Sequence, residues 1–322
     1  VMAGSEEEED PRHTTTNLIM VSVASISFAC SLVVLIGCYL RPLKVHFIRL
    51  VFWLSFFAAV VNLNYILIYA TAEVESEGWC TATGYIMQWS EICQVGFQLC
   101  ISLYVWMFFR GCVRTPPNHS ILKWANKRLL YMHFWIESAA TFDSFVILAF
   151  GGYGSAGLWC WISDEHGAIR FALWYFPLWS SCIVALVSWI DIVRLGRKTI
   201  RSFVGEMHEF KTYYLIISHT GLLYIITFVL AWIWPTMNRI WWEASEHGET
   251  PEWLNILHAL TGARMAGYCN CIIYLYTHWI LSRRISNSHQ RKEATTIDDT
   301  QSNFHSDDRD ILLSSHYSDQ SD

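Results

Sequence analysis

The residues with the most chemistry in this sequence are charged side chains set among apolar ones. Glu91 sits in "YIMQWSEICQ" and Arg264 in "TGARMAGY", each inside a stretch otherwise apolar enough for a bilayer. An ionisable group placed there is costly unless paired, so each is a functional candidate. Glu91 follows Cys80 by eleven residues, a depth of roughly 16 Å at ~1.5 Å per residue. Arg264 lies at a comparable depth in its own stretch. Two readings of a Glu91–Arg264 pair are open: an anchor that a ligand engages or breaks, and an ion pair that holds helices together. Arg170, Arg239 and His258 lie nearer the ends of such stretches. With Arg264 they could form a cationic vestibule, because the arginine fork matches carboxylate and phosphate. Arg170 and Arg239 also read as side chains that snorkel to the membrane surface. Asp164 and Glu165 would oppose an anion there. Glu137 and Asp143, six residues apart, do not share a helix face and read as interior hydrogen-bonding groups rather than a proton relay.

Other chemistries find little support. Zinc catalysis needs about three well-placed ligands. His133, His219 and His258 show no ligand spacing, and no His-Glu-x-x-His occurs. No metal, cofactor or enzymatic activity is expected, and a seven-helix metal-dependent hydrolase is the less favoured alternative. A transporter or channel is the other; no internal repeat is visible and midplane charges are few. No lysine falls in any apolar stretch, which removes a retinal Schiff base. No basic domain or stripe suggests nucleic-acid binding.

The elements that must position these residues follow from composition. The chain has 322 residues, 53% hydrophobic and 16% charged, against about 25% charged in soluble domains. A spanning helix needs roughly 20 mostly apolar residues. Seven stretches qualify: Asn17–Tyr39, Phe47–Ala72, Thr81–Phe109, Leu129–Phe150, Ala168–Val193, Thr212–Trp241 and Asn255–Trp279. The fold expected is an all-α membrane protein, a seven-transmembrane helix bundle. Lys44, Lys123, Lys127, Lys198, Lys211, Lys292 and most arginines fall in the first, third and fifth loops or after the last span. That asymmetry puts those loops in the cytoplasm. The N-terminus is then outside and the C-terminus cytoplasmic, in a multi-pass protein of the plasma membrane. Three regions result: an acidic extracellular 1–16, a seven-transmembrane domain 17–281, and a cytoplasmic Ser/Thr/Asp-rich tail 282–322 expected to be mostly disordered. The sequon at Asn118 falls in a cytoplasmic loop and is expected to be unused. Trp79, Trp159, Trp161, Trp241, Trp242 and Trp253 suit an outer aromatic belt.

Of ten cysteines, Cys80 and Cys160 lie on the oxidising side. Disulfides persist there, so their pairing is expected. It would pin "LWCWISDEHGAIRFALW", Leu158 to Trp174, over the mouth of the bundle. Trp161 in this lid joins the ligand-binding candidates.

The segment "WCWISDEHGAIRFALWYFPLW" resembles the loop-to-fifth-helix segment of the cyclic-AMP-receptor-like G-protein-coupled receptors of slime moulds and fungi. "WIWPTMNRI" is similar to the end of that family's sixth helix. "ILHALTGARMAGYCNCIIYLY" is similar to its seventh, with a Gly, an Asn, an apolar run and a Tyr. The resemblance covers about Asn17 to Arg284. Helix three ends "WMFFRGC" without Asp-Arg-Tyr, so no ionic lock of the rhodopsin-like class is carried over. The resemblance implies a receptor coupling an outer small-molecule ligand, unnamed by the sequence, to a heterotrimeric G protein. Pro235, Asn270 and Tyr274 become activation-switch candidates, and Pro235 should kink its helix. Asn62, Asn64, Asn270 and His219 could form a polar network.

The second and third inner loops, "FRGCVRTPPNHSILKWANKRLL" and "RLGRKTIRSFVGEMHEFK", are basic with apolar residues interleaved. Arg110, Arg114, Arg197 and Lys198 are the G-protein-facing candidates. "HWILSRRISNSHQRK" reads as an amphipathic helix on the lipid bilayer. Phosphorylation of the tail could recruit a kinase-dependent, arrestin-like partner.

Overall fold

A computed structural model describes residues 11–40, 46–70, 76–114, 119–156, 159–202, 208–245 and 250–280. The acidic start, Asn118, and everything beyond 280, including most of the amphipathic segment and the tail, lie outside the described residues. Residues 1–273 form one compact unit and 274–322 a second.

The first four spans are single helices: α1 (Pro11–Tyr39), α2 (His46–Ala70), α3 (Glu77–Arg114) and α4 (His119–Ala149). Span five begins with α5 (Gly167–Arg170), continues through a π-turn (Phe171–Tyr175) and becomes α6 (Phe176–Ser202). Pro177 has no N–H for the carbonyl of Leu173, and the wider π-turn ends just before it, where such irregularity is expected. Span six is α7 (His208–Ala244). Span seven is α8 (Glu252–Leu260) followed by renewed helix over 263–280, here α9.

Among the described residues, length and apolarity alone mark four helical segments as able to cross a membrane: Thr15–Tyr39, Phe47–Ala70, Asp164–Lys198 and His219–Ala244. The other three fall short for identifiable reasons. Gln88, Glu91, Gln94 and Gln98 lower the hydropathy of α3, and Glu137 and Asp143 that of α4. Span seven is divided, and α8, nine residues long, reaches only about 13 Å at ~1.5 Å per residue.

The division of span seven interlocks with the proline of span six. Pro235 cannot donate to the Ala231 carbonyl one turn earlier. That carbonyl accepts instead from the Gly262 N–H at 2.6 Å. Gly262 has φ +71, a left-handed conformation that glycine adopts without steric cost. Thus the break in one helix satisfies the group left over by the proline in the other. The expected uninterrupted helix over Asn255–Trp279 is corrected accordingly.

α3 is the central element, packing on α2, α4, α6 and α7. Gly96 allows α4 to come close: a Cβ there would lie 2.7 Å from Ile136 Cγ2. Gly267 does the same for α1, because any Cβ would collide with Ser27. Small residues at such contacts are what helix association in lipid requires.

Among the described residues, one structured feature is not helical. β1 (Tyr153–Ser155) pairs antiparallel with β2 (Cys160–Ile162), with Tyr153 opposite Ile162 and Ser155 opposite Cys160. A 3-10 turn, Asp164–His166, leads on to α5. Both strands rest on α3. The segment expected as a lid is therefore a short hairpin, and the bundle has a hairpin end and an opposite end.

Candidate functional site

The hairpin is held from several sides. A disulfide joins Cys80, in the first turn of α3, to Cys160 in β2, with Cα atoms 5.1 Å apart. The Tyr153 hydroxyl donates to the Ser144 carbonyl at 3.1 Å, and burial pushes its pKa above the ordinary phenol value. The Trp161 indole N–H donates to Gln88 Oε1 at 2.8 Å, and Gln88 Nε2 donates to Asp143 Oδ2 at 2.8 Å. Asp143 thus fixes the amide that fixes the lid tryptophan. Glu137 instead pairs with His133, one turn away, at 3.3 Å. Trp159 and Trp161 are buried rather than part of an outer belt, whereas Trp241 and Trp253 are exposed.

Arg170 and Arg239 do not snorkel. Their side chains are only 2% and 5% exposed. Arg170 Nη2 donates to the Ile162 carbonyl at 2.6 Å and to Asp164 Oδ1 at 2.7 Å; Nη1 reaches Glu243 at 3.4 Å. Arg239 Nη2 donates to the Ala156 carbonyl at 2.7 Å and Nη1 to the same Asp164 oxygen at 3.3 Å. Each guanidinium also lies over a lid tryptophan, Arg170 over Trp161 and Arg239 over Trp159. The two expected vestibule cations therefore clamp the hairpin, with Asp164 between them. Each keeps one buried N–H without a partner, the Nε.

Glu91 and Arg264 are both buried, but they form no direct ion pair. Tyr65 stands between them. Its hydroxyl donates to Glu91 Oε1 at 3.3 Å, and Arg264 Cζ lies 4.4 Å from its ring centre. A tyrosine on a different helix from either partner is invisible to a spacing argument along one chain. Arg264 is occupied elsewhere: its Nε donates to the Ala259 carbonyl at 2.9 Å and Nη2 to the His258 carbonyl at 2.6 Å. It caps the C-terminus of α8, where backbone carbonyls lack partners and a cation is favoured. Its own carbonyl accepts from the Ser27 hydroxyl.

Beneath the hairpin these groups enclose a cavity of about 20 Å³. Glu91, Trp161, Arg239, His258 and Pro235 line it, as do Tyr65 and Trp232. Arg170 and Arg264 lie behind that wall. His258 sits edge-on to Trp159, with ring centres 4.8 Å apart. Three indoles continue inward in edge-to-face contact: Trp161 with Trp174 at 5.9 Å, then Trp174 with Trp232 at 5.1 Å. Trp174 and Trp232 were not singled out in the sequence; the aromatic density near the hairpin-side ends of spans five and six was the available signal. Room of this size suits about one water, since a water needs ~10–15 Å³ by such a measure. Small-molecule pockets run to ~300–1,000 Å³. The arrangement is thus a closed one.

At the opposite end, Arg110 Nε donates to Asp191 Oδ2 at 2.9 Å, and the Trp106 indole N–H donates to the same oxygen at 2.7 Å. The Arg110 guanidinium stacks on the Trp106 ring. These contacts join α3 to α6. Arg197 and Lys198 are exposed on α6, and Arg114 ends α3. The expected asparagine network is not continuous. Asn62 Nδ2 donates to the Ala58 carbonyl of its own helix, Asn64 Nδ2 to the Thr83 carbonyl, and His219 is exposed. Asn270 is buried in α9; Tyr274 follows one turn later. Among the described residues, no three His, Cys, Asp or Glu side chains converge as a metal site.

Helices of this order, capped by a hairpin tethered to the third, define the seven-transmembrane receptor class. Squid rhodopsin shares the fold with a TM-score of 0.68, covering 85% of this chain and 81% of its own at 11% identity. Residues 6–292 match the slime mold cyclic AMP receptor family, and the chain belongs to that family. It is similar to a protein named G-protein coupled receptor 1 of Arabidopsis thaliana, 25% identical over 80% of this chain and 76% of that one. It is also similar to cyclic AMP receptor 2 of Dictyostelium discoideum, 24% identical over 83% of this chain and 68% of that one. The protein is a multi-pass membrane receptor of the G-protein-coupled kind.

Proposed function

We propose that the hairpin end faces outside the cell at the plasma membrane, and that the cavity beneath the hairpin is the closed form of the ligand site. The observation that carries this reading is the convergence of Glu91, Arg239, His258 and Trp161 under a tethered lid, with Tyr65 linking Glu91 to Arg264. A small molecule needs more than ten times the room present, so the hairpin lifts for it to enter. Lifting separates Asp164 from Arg170 and Arg239 and offers two guanidinium groups to an anion. A cyclic nucleotide, the ligand in the names of the Dictyostelium relatives, carries such a group. Ligand favours the open bundle and raises its population.

The opposite end is then cytoplasmic, and the protein is a transducer without catalytic activity of its own. Arg197 and Lys198 present positive charge, and Arg110 and Arg114 add to it once α3 and α6 separate. This surface supports contact with a heterotrimeric G protein, while the tail beyond 281 suits phosphorylation and desensitisation. The test is nucleotide exchange on co-expressed G proteins, with and without a library containing cyclic nucleotides and sugars. Ligand-dependent exchange that Glu91→Gln weakens is expected. No exchange under any condition, or exchange indifferent to Glu91→Gln, overturns the assignment.

A further inference from the structure

Trp232, which lines the hairpin-side cavity, also lines a second and smaller one of about 10 Å³. Gln94 and Gln98 of α3, Phe228 and Trp232 of α7, and Asn270 of α9 contribute to its wall. Its polar groups are poorly served. Both amide atoms of Gln94, Nε2 and Oε1, are buried without a hydrogen-bond partner, and so is Asn270 Nδ2. Gln94 and Asn270 are 4% and 3% exposed. Gln98 has its own partner, donating through Nε2 to the Tyr224 carbonyl at 3.2 Å. Buried side-chain amides are rarely left unpaired, and an exception calls for an occupant.

The chemistry of the wall selects that occupant. Among the described residues, no acidic or basic side chain lines this cavity. A metal ion or other cation would meet only neutral dipoles in a low-dielectric interior, where an uncompensated charge is costly. An apolar guest would leave all three amide atoms unserved. The volume is about that of one water by the same measure, and buried waters make two to four hydrogen bonds. We propose that this cavity is a hydration site. One water accepts from Gln94 Nε2 and Asn270 Nδ2 and donates to Gln94 Oε1. It thereby links span three to span seven beside span six, at the level where the Trp161–Trp174–Trp232 series ends.

The test is hydroxyl-radical footprinting of the full-length receptor in lipid nanodiscs, with radicals generated from bound water by an X-ray pulse. Phe228 lines this cavity and not the hairpin-side one. Its oxidation is expected to exceed that of Phe57 and Phe97, which are buried elsewhere. The excess is expected to fall to the level of those two in Gln94→Leu/Asn270→Leu. Equal labelling of the three phenylalanines in the unmodified receptor, or label at Phe228 unchanged by the double substitution, overturns the proposal. Should the double variant not fold, Gln94→Met alone leaves the water a single donor, too few to hold it, and the same loss of label is required. Unfolding temperatures give a second measurement. The two single substitutions are expected to cost together more than the double one, because either alone strands the remaining group. Additive losses count against a shared water.

Discussion

Replacing Asp164 by alanine should loosen the hairpin while leaving its disulfide intact. The carboxylate receives two guanidinium hydrogen bonds, at 2.7 Å from Arg170 and 3.3 Å from Arg239. A hydrogen bond to a charged group contributes ~1.5–3 kcal/mol, and breaking a fully buried pair costs ~3–5 kcal/mol. Asp164 is 35% exposed, so solvent screening pulls the figure toward the ~0–1 kcal/mol of surface pairs. Both arginines also keep a carbonyl, Ile162 or Ala156, after the substitution. About 2 kcal/mol is a fair intermediate value, equivalent to roughly 30-fold in the closed-to-open ratio at ~1.4 kcal/mol per tenfold. Amide hydrogen exchange reads that ratio directly across residues 153–156 and 159–163, where the strand pairing and the Ser163 N–H to Gly152 carbonyl bond provide protection. Protection should fall by about that factor in Asp164→Ala and less in Asp164→Asn, which keeps an acceptor oxygen but not the charge. Protection within twofold of the unmodified receptor would refute the reasoning, because the closure would then rest on the disulfide, the Trp161–Gln88 and Tyr153–Ser144 bonds and the arginine–carbonyl bonds, with nothing left for Asp164.

Three further outcomes follow from other contacts. Gly262→Ala should lower the unfolding temperature through backbone conformation alone, by ~1–2 kcal/mol, since the new Cβ would meet nothing nearer than Pro235 Cγ at 3.5 Å. An unchanged unfolding temperature would show that the break between α8 and α9 relaxes freely. Cys160→Ser should cost ~2–4 kcal/mol at most, because the spans restrict the unfolded chain before the disulfide does. A membrane-impermeant reductant applied to intact cells should reproduce that loss, and its failure to act would place the hairpin end inside. Asp191→Asn releases Arg110 and Trp106, but their partner is a part-exposed carboxylate, so ~1 kcal/mol and about a fivefold rise in basal nucleotide exchange are the ceiling. A rise well beyond that would assign Asp191 a role other than holding α3 to α6.

Helix number and the lid tether were legible in the sequence because both depend on local signals. A run of apolar residues reports its own length, and two cysteines on one side of a membrane need only each other. The hairpin was less legible: Tyr153–Ser155 and Cys160–Ile162 are three residues each, too short for an alternation pattern to register. Contacts between spans were the least legible. The sequence placed Glu91 and Arg264 at matching depth, yet Tyr65 intervenes, because depth along two helices says nothing about which faces meet. The contacts of Asp191 escape the sequence for the same reason. Its partners, Trp106 and Arg110, come from a helix more than eighty residues earlier.

The three arginines show why charge alone misleads in such a site. Each was weighed as a counter-ion or a ligand anchor, and each first serves backbone. Arg170 takes the Ile162 carbonyl at the end of β2, Arg239 the Ala156 carbonyl just after β1, and Arg264 two carbonyls at the end of α8. All four carbonyls belong to places where regular structure stops. Irregular backbone at membrane depth is tolerated only where something satisfies it, and the long guanidinium side chain does so from a neighbouring helix. It follows that a ligand cannot treat these arginines as free cations. On the proposed function, it can claim the two N–H groups that Asp164 now holds, and the Nε of Arg170 and Arg239 and the Nη1 of Arg264, which are buried without partners, while the carbonyl bonds persist. An anion that matches only those donors would open the hairpin without unravelling the backbone beneath it, which is what a reversible receptor requires.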